Sequence, residues 1–177
     1  LAVRVDHSQY ADSRWYTGSG IYRDVWLVKA PATHLAQWGS AYRLKKITKG
    51  QATVEVDIET AGKPALGIPT EVVMTDAEGK EVARTKTTMG CPGKKTVTLT
   101  VKNPHRWDLN DTYLYNIETR LYSRSQGVKG VQGVQDNCID RSVMRAGLRT
   151  LQFDPNHGFA LNGKWMKVKG VCLHHDA

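Results

Sequence analysis

With 177 residues, 40% of them hydrophobic, the chain can form one domain of ordinary size plus pieces of others. Its 25 Lys+Arg against 17 Asp+Glu give a net charge of +8, but the basic residues are scattered and the longest runs are pairs such as Lys45-Lys46 and Lys94-Lys95. That distribution argues for a solvated surface rather than a nucleic-acid footprint, and no apolar run is long enough to span a bilayer as a helix.

The chain opens on Leu1-Ala2-Val3-Arg4-Val5-Asp6, an alternation that reads as a strand already under way. Without an initiating Met, the piece is expected to have been cut from something longer. Arg14 through Leu27 follows as a glycine-rich turn (Gly18-Ser19-Gly20) and then a strand with bulky side chains on both faces. Its aromatics Trp15, Tyr16, Tyr22 and Trp26 are better suited to packing a domain interface than to a sugar platform. His34–Ser40 is ambiguous and is read as an entering strand.

Strand signals then dominate. Ala52, Val54, Val56 and Ile58 alternate with Thr53, Glu55, Asp57 and Glu59, which gives one apolar and one polar face. Thr70–Thr75 and Glu81–Thr87 flank Asp76-Ala77-Glu78-Gly79, a turn by composition, so a hairpin is expected there. Gly90-Cys91-Pro92-Gly93 reads as a break, and Asn103-Pro104 as the end of the Val97-Leu99-Val101 strand. Tyr115, Ile117, Thr119 and Leu121 form a further alternating strand. Gln126–Val134 is glycine-rich and reads as a loop. Asn162-Gly163, between Phe159-Ala160-Leu161 and Lys164-Trp165-Met166, suits a two-residue type I′ hairpin turn.

Short, regularly spaced, half-buried strands without an amphipathic helix predict an all-β chain. Its body is expected to be an immunoglobulin-like antiparallel β-sandwich over residues 33–143, close to the roughly 100 residues and seven strands of that fold. The cysteines Cys91, Cys138 and Cys172 lie far apart, with neither C-x-x-C nor zinc-finger spacing, and are expected to be buried and inert.

Three blocks in order resemble glycoside hydrolase family 2, which holds β-galactosidases, β-glucuronidases and β-mannosidases. Arg14-Trp15 through Leu27 is similar to the last strand of that family's N-terminal jelly roll. Trp107 with Leu114-Tyr115 is similar to an element of its immunoglobulin-like domain. Asp140, Gly147-Leu148-Arg149, Phe159, Leu161-Asn162-Gly163-Lys164, Lys169-Gly170-Val171, His174 and Asp176 resemble its entry into the catalytic (β/α)₈ barrel. Thr112 and Ala146 depart from the usual pattern, as do Leu173 and His175 around His174.

The resemblance implies three segments: residues 1–32 as the end of a sugar-binding jelly roll, 33–143 as the immunoglobulin-like domain, and 144–177 as the truncated start of the barrel. It implies a parent glycosidase of the β-galactosidase type that uses two barrel glutamates and a carbohydrate substrate. No cofactor, metal, nucleic acid or membrane is expected as a partner, whereas the remaining domains of the parent are. The compartment stays open between bacterial cytoplasm and periplasm.

None of Glu55, Glu59, Glu71, Glu78, Glu81 and Glu118 follows the Asn that precedes the family's acid/base. All six are expected to be solvated, so no catalytic residue is expected in this chain. His174 and Asp176, two apart on an extended segment, would share a face, and by resemblance they would bind sugar hydroxyls. As His-x-Asp they could also supply two metal ligands, although no further ligand cluster accompanies them. Arg149 is expected to be structural. The rival class is a non-catalytic carbohydrate-binding or adhesion module. It would need an exposed aromatic platform and glycan affinity without the barrel, and no such binding is expected from the fragment.

Overall fold

The computed structural model describes residues 2–6, 20–21, 23–123 and 137–172, and these carry eight β-strands and no helix. They fall into two units, Ala30–Lys167 and Leu1–Lys29 with Val168–Ala177. In the second unit the described residues form no ladder, so the strands read at residues 2–6 and 23–27 are not found there. An extended segment becomes a strand only when a neighbour takes its N–H and C=O groups. Val25, Trp26 and Leu27 are exposed.

The unit Ala30–Lys167 is all β. Its strands are β1 (Thr33–Ile47), β2 (Gln51–Thr75), β3 (Glu81–Lys102), β4 (Tyr115–Tyr122), β5 (Cys138–Ala146), β6 (Leu151–Asp154), β7 (Gly158–Leu161) and β8 (Lys164–Met166). The ambiguous His34–Ser40 is strand, as read. The seven short strands expected in the sandwich are instead five, because β2 and β3 each run through two leaves. Gln51–Thr60 pairs with β1 and with Gly93–Lys102, while Ile68–Thr75 pairs with Glu81–Met89 and with β4. Strand β5 extends the second leaf from β4.

The switch between leaves occurs where the β2–β3 register slips, between Thr60, Ala65 and Ile68. Gly62 sits there at φ 106°, and a Cβ on it would lie 2.0 Å from the Ala32 carbonyl oxygen, so only glycine fits. Opposite it, Gly90–Gly93 is not a break but the corner of β3, held by the Thr60 hydroxyl donating to Gly90 O at 2.6 Å.

Period-two alternation directs the core. Val54, Val56, Ile58, Leu99 and Val101 from one leaf meet Val72, Met74, Ile117 and Leu121 from the other in a single buried cluster. Each such side chain contributes roughly 1.5–3 kcal/mol by leaving water. Tyr115 begins β4 with its ring buried and its hydroxyl accepting from His105 N at 2.8 Å, like the corner tyrosine of immunoglobulin-like sandwiches. The open edges of β1 and β5 are tied by side chains. Leu35 N donates to Asp140 Oδ2 at 2.8 Å, and Gly147 N donates to the Tyr42 hydroxyl at 3.1 Å.

Beyond the sandwich, β6, β7 and β8 form a separate three-stranded antiparallel sheet. Asn162 (φ 51°) and Gly163 (φ 79°) turn β7 into β8 with Leu161 opposite Lys164, the expected two-residue hairpin. The Asp76–Gly79 turn also forms, with Gly79 N donating to Asp76 O and Lys80 N to Asp76 Oδ1.

Candidate functional site

His174 and Asp176, the residues singled out in the sequence, lie outside the described residues. So do Trp15, Tyr16, Tyr22 and the Gln126–Val134 loop. Strand β8 ends at Met166. Cys91 is buried, as expected, but Cys138 is half-buried and Cys172 exposed, because Cys172 follows the last strand with no sheet against it. Among the described residues no three His, Cys, Asp or Glu side chains gather as a metal-binding group.

The β6–β8 sheet is joined to the sandwich by a polar junction. Asn162 donates from Nδ2 to Trp107 O at 2.9 Å, while its Oδ1 accepts from Thr150 N at 3.1 Å. Trp107 N in turn donates to Leu148 O at 3.1 Å, and Leu148 is fully buried. The Arg149 guanidinium lies 4.7 Å from the centre of the Trp107 ring, a cation–π contact that supports the structural role expected of it. Gly147 is fixed here by crowding, since a Cβ would meet Trp107 at 3.0 Å.

The glutamates do not behave alike. Glu71 was expected in solvent but is only 6% exposed. It lies on the outer face of the second leaf, covered from neighbouring strands. Its carboxylate pairs with Arg84 and accepts from the Tyr122 hydroxyl at 3.0 Å, with Lys86 at 3.6 Å and Arg120 at 3.8 Å. Burial alone would raise the Glu71 pKa, but hydrogen bonds from Arg84 and Tyr122 outweigh it and the net shift is downward. Hydrogen bonds from Lys45 lower Glu55, those from Arg84 lower Glu81, and those from Arg120 lower Glu118. Each of these groups is therefore held ionised, the opposite of what a proton-donating carboxylic acid requires.

A second polar cluster flanks the first leaf. Between Leu35 and Ser40 the β1–β2 register slips, and Trp38 takes φ 58° with its side chain 93% exposed. A Cβ on the next residue, Gly39, would lie within 2.9 Å of Ala36 and of Glu59 Cβ, so the bulge is pressed tightly onto β2. Trp38, Asp57, Glu59, Lys94, Lys95 and Thr96 line an open cavity of about 350 Å³. Within it, Glu59 pairs with Lys94 at 3.0 Å, and Asp57 accepts from Arg43 and from the Thr96 hydroxyl at 2.6 Å. Sequence reasoning did not single out Trp38; the available signal was a glycine interrupting a strand pattern.

Comparison with known proteins places the chain. A model of the glycosyl hydrolases family 2 matches residues 33–149. The chain is 36% identical to Beta-galactosidase BoGH2A of Bacteroides ovatus over 182 residues, covering 99% of this chain and 20% of that protein. It is 28% identical to a beta-glucuronidase of Bacteroides fragilis, covering 99% of this chain and 26% of that protein. The crystal structure of a beta-glycosidase from Bacteroides vulgatus superposes with a TM-score of 0.74 and 30% identity, over 97% of this chain and 20% of that one. The chain spans about a fifth to a quarter of the length of these relatives.

Proposed function

The chain belongs to glycosyl hydrolases family 2, and from that premise we propose that it is the non-catalytic spacer of a longer β-galactosidase-like enzyme. In this reading residues 1–32 end a jelly roll, 33–143 form the sandwich, and 144–177 begin the catalytic barrel. The longer protein hydrolyses terminal β-glycosidic bonds with retention. One glutamate attacks the anomeric carbon while another, about 5–5.5 Å away, protonates the departing oxygen. The second glutamate then takes a proton from water, which releases the sugar and frees the first carboxylate. Both glutamates belong to barrel strands beyond Ala177, since a complete barrel takes about 200 residues or more.

The observation that carries this reading is the family match over residues 33–149, within relatives that include a beta-galactosidase. Two physical features support it. The glutamates with displaced pKa values are all displaced downward, so none is suited to donate the proton. The β6–β8 sheet leaves Leu151, Phe153 and Trp165 exposed, the kind of apolar surface a further domain would cover. His174 and Asp176 would then face the substrate, the imidazole and carboxylate bonding to sugar hydroxyls.

The test has two arms. The chain alone, incubated with nitrophenyl β-galactoside and β-glucuronide, is expected to release no nitrophenol; genuine turnover would overturn the assignment. In the longer protein, His174→Ala or Asp176→Ala is expected to lower kcat/KM about 10- to 100-fold, the value of one charged hydrogen bond, with the unfolding midpoint unchanged. Unaltered kinetics would remove both residues from the site.

A further inference from the structure

The Trp38 bulge is a costly way to build an edge strand. A bulky side chain at positive φ is rare, because Cβ crowds the following carbonyl. Here the bulge is also locked by Gly39 against Ala36 and Glu59. Nothing is gained in the core, since the indole is 93% exposed. Backbone strain that persists without a packing return points to a binding role.

The chemistry beside the indole narrows the ligand. Glu59 and Lys94 form a partly exposed pair at 3.0 Å, which leaves other acceptor sites on the carboxylate and other donors on the ammonium. Thr96 adds a hydroxyl at the cavity wall. An indole face next to interleaved donors and acceptors matches a pyranose ring, which carries C–H bonds on one face and hydroxyls around its rim. An anion would meet Asp57 and Glu59, and a cation would meet Lys94 and Lys95. A cavity of about 350 Å³ is at the small end of ligand sites, which run from roughly 300 to 1,000 Å³.

We propose that Trp38, Glu59 and Lys94 form a saccharide-binding site on the sandwich, distinct from any catalytic pocket and taking neutral pyranosides. The indole stacks on the C–H face of the sugar. Glu59 accepts from one hydroxyl, and Lys94 donates to a neighbouring one. This reverses the expectation that the fragment has no glycan affinity. The site needs no hydrolysis and stands whether or not the longer protein is a galactosidase.

The test uses the whole 177-residue chain with lactose and methyl β-galactopyranoside as probes. Binding is read by saturation transfer to the sugar protons and by fluorine resonances of 5-fluorotryptophan-labelled protein. Saturable millimolar binding that shifts the Trp38 resonance is expected. Trp38→Ala should weaken it about tenfold, the upper value of an aromatic contact, while Trp38→Phe retains part of it. Glu59→Gln and Lys94→Met should each weaken it several-fold, and Trp26→Ala should leave it unchanged. Unfolding midpoints of the variants establish that they remain folded. Absence of binding, binding unaffected by Trp38→Ala, or a Trp38 resonance that moves with protein concentration alone overturns the proposal; the last would assign the surface to a second copy of the chain.

Discussion

Glu71 and Glu59 lie on the same strand, β2, and both face basic side chains of β3, yet they sit in opposite kinds of cluster. Glu71 is buried, and its carboxylate is surrounded by Arg84, Lys86, Arg120 and the Tyr122 hydroxyl from two neighbouring strands. Glu59 is half-buried, its carboxylate 3.0 Å from the Lys94 ammonium, beside an indole held outward by a strained bulge. The Glu71 cluster also lines an open cavity, of about 440 Å³, but its carboxylate uses its acceptors on its own protein. The Glu59 cluster leaves donors, acceptors and an apolar face to something else. The charge balance differs, one carboxylate among three cations at Glu71 against two carboxylates and two ammoniums at Glu59; the further difference is how much of each carboxylate's bonding capacity the fold leaves unused.

The comparison breaks most readily at Glu71. Glu71→Gln is expected to cost about 2 kcal/mol, measured by urea unfolding, because a buried charged hydrogen-bond acceptor is lost. The partial exposure of Arg84 and Arg120 lets them recover water, which keeps the loss below that of a fully buried pair. A change under about 0.5 kcal/mol would place Glu71 with ordinary surface pairs.

Acid should expose the same contrast. The folded pKa values of Glu71 and Glu118 lie below the ordinary glutamate value. The stabilisation they give is therefore complete above about pH 4.3, the unfolded value, and is lost as pH falls through the depressed folded values. Unfolding midpoints should decline from about pH 5 to about pH 3, and less steeply in Glu71→Gln. Equal slopes in the two proteins would show that the Glu71 cluster is not the proton-linked element.

The same two sites mark where sequence reading works and where it stops. Alternation in Ala52–Glu59 and Tyr115–Leu121 identifies the core faces because side-chain direction in a strand is a local property. Asn162-Gly163 is legible for the same reason: both residues tolerate the positive φ that the turn requires. The joining of short strands into β2 and β3 was not legible, since a Gly-rich corner that keeps its ladder looks the same in sequence as a break. Glu71 was misplaced because its burial depends on Arg84, Arg120 and Tyr122, which long-range pairing brings together. Trp38 depends on the register slip opposite β2, also non-local. His174 and Asp176 were reached through family resemblance rather than local pattern, and they lie outside the described residues.

The smaller effects test the Glu59 cluster and differ in sign from those at Glu71. Trp38→Asn keeps the Cβ but puts at φ 58° a residue whose short polar side chain tolerates the left-handed region, and it removes the indole. Stability should hold or rise by up to about 1 kcal/mol. Glu59→Gln, on a partly exposed pair, should change it by less than about 0.5 kcal/mol. Both are read in the same urea titration as Glu71→Gln. If Trp38→Asn instead cost as much as Glu71→Gln, the indole would be a packing element, its exposure would no longer imply an unused face, and the contrast between the two clusters would collapse. A neutral or stabilising outcome leaves a role at the surface, not in packing within this chain, as the physical reason for a tryptophan in that strained position.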